Sequence, residues 1–290
     1  MDHKLENDEL CIVVNEVGAE LQSITSVRTG EEYLWQGDPD VWSGRSPLLF
    51  PIVGSLKDSL LKHNGKSYSL PRHGLARRAS FEKVRSDNQG VEFELRSNAD
   101  TLALFPWQFC LTVSYTLRKN RVEIEYRVRS LDDSLMRFAI GAHPAFGLPL
   151  DNSSIDSFSI AFNADTELTR YHLDASGLLS NVGEAYSLNR GRIELTDSLF
   201  DDDALVFKDI NSTCLSLCDK GIERVRVHTG GAPDLGLWAK PGAAFVCIEP
   251  WFGYSDDSDA SGQWADKPAL LSLDSDELFT HQWAIEVPVK

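Results

Sequence analysis

Apolar and polar residues alternate with a period of two along much of this chain. In Arg121-Val-Glu-Ile-Glu-Tyr-Arg-Val-Arg129, the side chains of Val122, Ile124, Tyr126 and Val128 fall on one face and the charged residues on the other. That is the pattern of an antiparallel strand with one buried and one wet face. The same reading predicts strands over 10–14, 19–24, 80–85, 91–96, 109–118, 121–130 and 135–140. In the second half it predicts strands over 157–162, 167–172, 192–195, 204–208, 213–218, 222–228, 235–239, 244–249 and 282–287. Lys119-Asn120 between two of these runs predicts a two-residue hairpin turn. Thr229-Gly-Gly-Ala-Pro233 and Lys240-Pro-Gly242 punctuate others. Helical pattern is confined to a turn over 100–105, stopped by Pro106. Many short strands with almost no helix predict an all-β fold, a large antiparallel β-sandwich of two packed sheets. No repeat, low-complexity tract or linker interrupts the pattern, so residues 1–290 read as one domain.

Composition narrows the function classes. A formal net charge of −16 over 290 residues excludes a basic stripe of the kind that releases counterions from a phosphate backbone, so no nucleic-acid partner is expected. No apolar run is long enough to cross a bilayer as a helix, and no membrane partner is expected. The opening stretch MDHKLENDELCIVV lacks the basic start and apolar core of a signal peptide. Five cysteines, at 11, 110, 214, 218 and 247, form an odd, scattered set without CxxC pairs. They read as reduced thiols, and a cytoplasmic location follows. Cys214 and Cys218 would share a strand face, but their spacing is not that of a zinc site.

Five stretches carry residues suited to chemistry. In Ile140-Gly-Ala-His143-Pro-Ala-Phe-Gly-Leu-Pro149, the proline after His143 disfavours helical backbone and holds an imidazole stiffly at a strand end. Gly44-Arg45-Ser-Pro-Leu-Leu-Phe-Pro-Ile-Val-Gly54 opens with an arginine, whose planar fork suits either a ligand's oxygens or an acid of the chain itself. Pro71-Arg-His73-Gly-Leu-Ala-Arg77-Arg78 is either a solvated basic loop or a site whose arginines would keep a nearby His73 neutral. In Phe245-Val-Cys-Ile-Glu249-Pro-Trp251, the residues Phe245, Cys247 and Glu249 share one face. A carboxyl there, ending an apolar strand beside Trp251, is poorly placed for solvation. It is either a structural ion-pair member or a base of raised pKa. Asp203, last of three aspartates, abuts the apolar run that follows it. The remaining histidines, at 3, 63, 172, 228 and 281, read as surface or structural.

With GAEL near residue 18, GRSPLLFPIVG, HGLAR, IGAHPAF, DDALVF and FVCIEPWFG in order along nearly the whole chain, the sequence resembles the aldose 1-epimerase (galactose mutarotase-like) superfamily, and within it the LacX-like branch. The resemblance implies the superfamily's large β-sandwich and an isomerase that interconverts the α and β anomers of a hexose. It implies Glu249 as the general base toward the anomeric hydroxyl and His143 as the general acid toward the ring oxygen. His73 would be a second histidine on the ring oxygen or a neighbouring hydroxyl, with Arg45 and Asp203 binding hydroxyls. Arg77 and Trp251 complete the expected sugar-binding set. The implied partner is a small-molecule aldose. No metal and no organic cofactor is implied, because only protons move. Arg45, Arg72, Arg77 and Arg78 keep a hexose 6-phosphate open as the substrate, since arginine forks suit phosphate. Two other readings stand beside this one: a non-catalytic carbohydrate-binding protein of the same fold, and a metal enzyme using His73, His143 and Glu249.

Overall fold

The computed structural model describes residues 1–150 and 154–288. Two large antiparallel sheets dominate. A nine-stranded sheet runs in the order Arg192–Glu194, Phe158–Phe162, Cys214–Asp219, Ile222–His228, Leu278–Glu286, Arg121–Ser130, Phe109–Arg118, Gly90–Arg96, Glu82–Ser86. An eight-stranded sheet contains Glu184–Ser187, Glu167–Tyr171, Leu205–Phe207, Asp234–Trp238, Phe245–Phe252, Ile140–Ala142 and Leu48–Leu49 in that order, with Ala145–Gly147 also paired to Phe245–Phe252. A three-stranded sheet of Asp2–Glu6, Leu10–Asn15 and Glu20–Ser26, the hairpin Leu60–His63 with Lys66–Ser69, and the long-range pair Met136–Phe138 with Leu271–Leu273 complete the architecture.

The alternation did its work in the nine-stranded sheet. Val122, Ile124, Tyr126 and Val128 are all buried, and the Lys119-Asn120 turn joins strands whose end residues Arg118 and Arg121 pair. Phe279 and His281 of this sheet meet Phe252 of the other at ring-centroid distances of 5.4 and 4.7 Å. Residues of both sheets form one continuous apolar core, the two-layer packing expected.

Three local readings are corrected by tertiary context. The run 135–140 divides: Met136–Phe138 pairs with Leu271–Leu273, while Ile140–Ala142 joins the eight-stranded sheet. Ala139 between them donates to the Pro51 carbonyl, so one apolar run serves two sheets. The helical turn spans Ala99–Leu102 and starts one residue earlier than its pattern, because Asn98 and Thr101 form a reciprocal cap. A register shift between Leu217 and Cys218 breaks the alternation that would set Cys214 and Cys218 on one face. The five cysteines carry no disulfide among the described residues.

The eight-stranded sheet positions the site because both of its faces are covered. One face packs into the main core. On the other, Leu49, Val53, Ala139, Leu179, Ala204, Val206 and Trp251 form a small second cluster. A cavity opens beside that cluster.

Candidate active site

The cavity holds about 470 Å³ and is lined by His73, His143, Asp203, Glu249 and Trp251, among others. This is within the roughly 300–1,000 Å³ usual for small-molecule sites. Its floor is the outer face of the strand Phe245–Phe252. The indole of Trp251 lies flat there because its strand neighbours are glycines. A Cβ on Gly141 would stand 2.5 Å from one edge of the ring, and a Cβ on Gly236 2.2 Å from the other. No side chain larger than hydrogen fits at either position without displacing the ring.

Glu249 is 1% exposed, and its Oε2 stands 3.3 Å from Nε2 of His143. Neither that oxygen nor Nδ1 of His143 has a well-formed hydrogen bond, and the Trp251 indole nitrogen, also without one, lies close enough to Glu249 to favour its carboxylate. Burial pushes the Glu249 carboxyl well up, with Asp203 adding to the shift and Arg72 and Arg77 opposing it. Burial, and then Arg77, pushes His143 down to about 3. The residues flanking His143 are pinned on both sides: Ala142 pairs with Leu48 before it, and after it Ala145 N–H donates to the Arg45 carbonyl and Ile248 N–H to the Pro144 carbonyl. The stiffness expected from the His-Pro step is therefore built in by backbone pairing.

His73 reaches the cavity by a strained route. Its φ is 66°, in the left-handed region that a side chain makes costly. Gly54 holds it there with two bonds: His73 N–H donates to the Gly54 carbonyl at 2.8 Å, and Gly54 N–H donates to Nδ1 of His73 at 3.2 Å. With Nδ1 accepting, a neutral His73 carries its hydrogen on Nε2, free to donate. Burial lowers its pKa well below the usual imidazole value, and His143, Arg72 and Arg77 lower it further. The two imidazoles stand nearly perpendicular, 5.5 Å apart.

Arg72 and Asp203 meet at the rim, 3.6 Å apart and both partly exposed. Asp203 has φ 71° and accepts from the N–H of Ala204, which fixes its carboxylate toward the cavity side of that turn. Arg77 lines the cavity behind them. Arg45 is the exception among the residues expected to bind sugar. It is not among the lining residues; its guanidinium donates to the Gln22 carbonyl and to Oε1 of Gln36, while its backbone N–H donates to Glu20. The apolar stretch it opens is a structural anchor, and the arginine faces the chain's own oxygens.

The pattern missed an aromatic wall. Trp42 stacks on the imidazole of His143 at 5.1 Å and 25°, and Trp238 meets the same ring edge-on at 5.9 Å and 82°. Trp42 sits in the loop Asp38-Pro-Asp-Val-Trp-Ser-Gly44, tied down by Lys240 donating to the Val41 carbonyl and by the Trp35 indole donating to that of Trp42. A tryptophan in an otherwise polar, Pro- and Gly-bearing loop is the signal that marks it. Cys247 is a second addition: its Sγ, a ligand nitrogen of His143 and a carboxylate oxygen of Glu249 all lie within 4.8 Å of one another. The two-histidine metal set weighed from the sequence is not the grouping that the fold brings closest; Cys247 takes the place of His73.

Residues 1–280 match the model of the aldose 1-epimerase family. The chain is 31% identical over 284 residues to the plasmid-borne protein LacX of Lactococcus lactis subsp. lactis, spanning 94% of this chain and 95% of that one. It superposes on a galactose mutarotase related enzyme from Lactobacillus acidophilus with a TM-score of 0.95 at 33% identity, covering 100% of this chain and 98% of that one. A galactose mutarotase-like protein from Lactobacillus casei gives a TM-score of 0.93 at 25% identity, covering 99% and 100%.

Proposed function

The chain belongs to the aldose 1-epimerase family, and from that premise we propose that it interconverts the α and β anomers of an unphosphorylated hexose by acid–base opening and reclosure of the sugar ring. The observation that carries this reading is the buried pair of Glu249 and His143, 3.3 Å apart and facing an open cavity floored by an indole. Opening a hemiacetal requires a proton to leave the anomeric hydroxyl while another arrives at the ring oxygen, so two groups of different basicity must flank one ring. The pair holds a single proton between its two shifted pKa values, and the 3.3 Å gap lets either partner carry it. Against the burial that raises its pKa, Arg72 and Arg77 pull Glu249 back toward the carboxylate, the form in which it takes the O1 proton. His143 then supplies the ring oxygen, and His73 Nε2–H steadies that oxygen or the next hydroxyl. The C1–O5 bond opens, the aldehyde turns about C1–C2, and reclosure with the proton moves reversed gives the other anomer. No oxidation state changes. Trp251 offers an apolar face to the sugar's C–H groups, and positioning by Arg77 and Asp203 lowers the entropic part of the barrier.

The charge balance favours a sugar without phosphate. Two guanidinium groups, Arg72 and Arg77, share the cavity lining with the carboxyls of Asp201, Asp203 and Glu249, and Arg72 already faces Asp203. No spare positive charge awaits a dianion. The test is anomer equilibration of freshly dissolved α-D-glucose and α-D-galactose, followed by polarimetry or NMR, with the hexose 6-phosphates in parallel. Faster equilibration of a free hexose supports the reading. Acceleration confined to the phosphates would overturn the substrate assignment, and sugar binding without acceleration would leave a carbohydrate-binding protein.

A further inference from the structure

We propose that His143, Cys247 and Glu249 form a binding site for a thiophilic divalent cation such as Zn²⁺, and that the cation inhibits the enzyme by occupying its acid–base pair. The three side chains come from two adjoining elements. Cys247 and Glu249 share one face of a strand, Glu249 at the cavity and Cys247 buried just behind it, and His143 arrives from the segment paired beside them. All three are buried, with their ligand atoms within 4.8 Å of one another. Tetrahedral zinc bonds of about 2.0–2.3 Å place ligand atoms roughly 3.3–3.7 Å apart. The 3.3 Å between Nε2 of His143 and Oε2 of Glu249 is already one such edge. That oxygen has no hydrogen-bond partner to lose, which is costly for a buried polar atom in the free protein and is relieved by a metal bond.

Charge supports the same assignment. A dication with one thiolate, one carboxylate and a neutral imidazole is a net-neutral cluster, which a buried site tolerates far better than any of its charges alone. Binding is a ligand exchange. The cation sheds waters, the thiol and the carboxyl release their protons to solvent, and no electron moves. His143 and Glu249 line the cavity, so a water from it would take the fourth position, the arrangement of an open three-ligand site. The metal part of this inference stands on geometry alone; the inhibitory part rests on the mutarotase reading.

Chelator-treated protein is titrated with Cd²⁺ and read by the ultraviolet thiolate-to-cadmium charge-transfer band. The expected result is a band saturating at one equivalent, displaced by Zn²⁺, kept in Cys214→Ser and lost in Cys247→Ser. Far-UV circular dichroism checks folding, and Cys247→Ala carries the same test if the serine variant does not fold, because buried cysteine packs as a small apolar residue. In parallel, Zn²⁺ slows anomer equilibration, and either Cys247 variant raises the half-inhibiting concentration by at least about tenfold, a loss that even a supporting group causes at a metal site. A band that persists without Cys247, or wild-type protein with no saturable Cd²⁺ uptake, overturns the site. Because the band needs no turnover, a protein that takes up Cd²⁺ yet leaves anomers alone overturns the mutarotase reading and the inhibition, and leaves the metal site standing.

Discussion

The two faces of the strand Phe245–Phe252 are both buried, yet they do different work. Toward the nine-stranded sheet, Val246, Ile248 and Phe252 join the main core as apolar residues whose neighbours are apolar. On the opposite face, Glu249 and Trp251 line the cavity and each carries a polar atom without a well-formed hydrogen bond, while Cys247 beside them is buried with the main core. One face is settled by packing. The other keeps unmet hydrogen-bonding capacity next to an open cavity, which is what a group needs if it is to exchange protons with a ligand. Burial alone therefore does not separate core from site; what separates them is whether buried polar atoms have partners.

That contrast breaks most sharply at position 249. Glu249→Gln keeps the shape and removes the base, so turnover in the anomer assay should fall by about 10²–10⁴-fold. Thermal stability should hold or rise, because a buried ionisable group has gone. Loss of folding with loss of turnover would make Glu249 a structural residue. One position back, on the other face, the effect should invert. Ile248→Ala should cost about 2–5 kcal/mol in denaturant unfolding while activity per folded molecule survives, since Ile248 is 0% exposed, its side chain lies on the core face opposite Glu249, and its backbone bond to Pro144 is kept.

A pH profile sharpens the same comparison. Burial raises the Glu249 carboxyl and drops His143 to about 3, so the pair holds one proton from about pH 3 up to the raised Glu249 value. Activity should be lost as pH rises through that value, because the last proton leaves and no acid remains for the ring oxygen. In kcat/KM against pH, an alkaline limb that survives in Glu249→Gln would assign it to another group. The smallest effects belong to the walls. Trp42→Ala removes the ring stacked on His143 and should weaken sugar affinity by about 2- to 13-fold, the worth of an aromatic pair. Arg45→Ala, whose guanidinium points at Gln22 and Gln36, should change KM by less than about twofold. A larger change at Arg45 would mean that sugar binding rearranges the Gly44–Gly54 segment.

Much of this was legible in the chain. The alternation over 121–129 and its turn at 119–120 specified strand, face and register locally, because a period of two and a hairpin turn are properties of neighbouring residues. The same holds for Glu249: a carboxyl closing an apolar strand is visible without a partner. Its pairing with His143 is not, since 106 positions separate the two numbers and only the antiparallel register of the eight-stranded sheet brings them to 3.3 Å. Arg45 was misleading for a related reason. An arginine opening an apolar stretch announces that its fork needs acceptors, but whether those belong to a ligand or to Gln22 and Gln36 depends on how the three-stranded sheet lies against that stretch.

The sequence by itself determined the all-β architecture and the core faces of the long strands, because both are written in local periodicity, and it marked His73, His143 and Glu249 as candidates whose proposed roles come from the family resemblance. Only the tertiary structure decided that Trp42 and Trp238 wall the site, that Cys247 stands with His143 and Glu249, and that Arg45 turns away. Those are contacts between segments remote in sequence, set by sheet order and loop closure, and no short-range pattern encodes them.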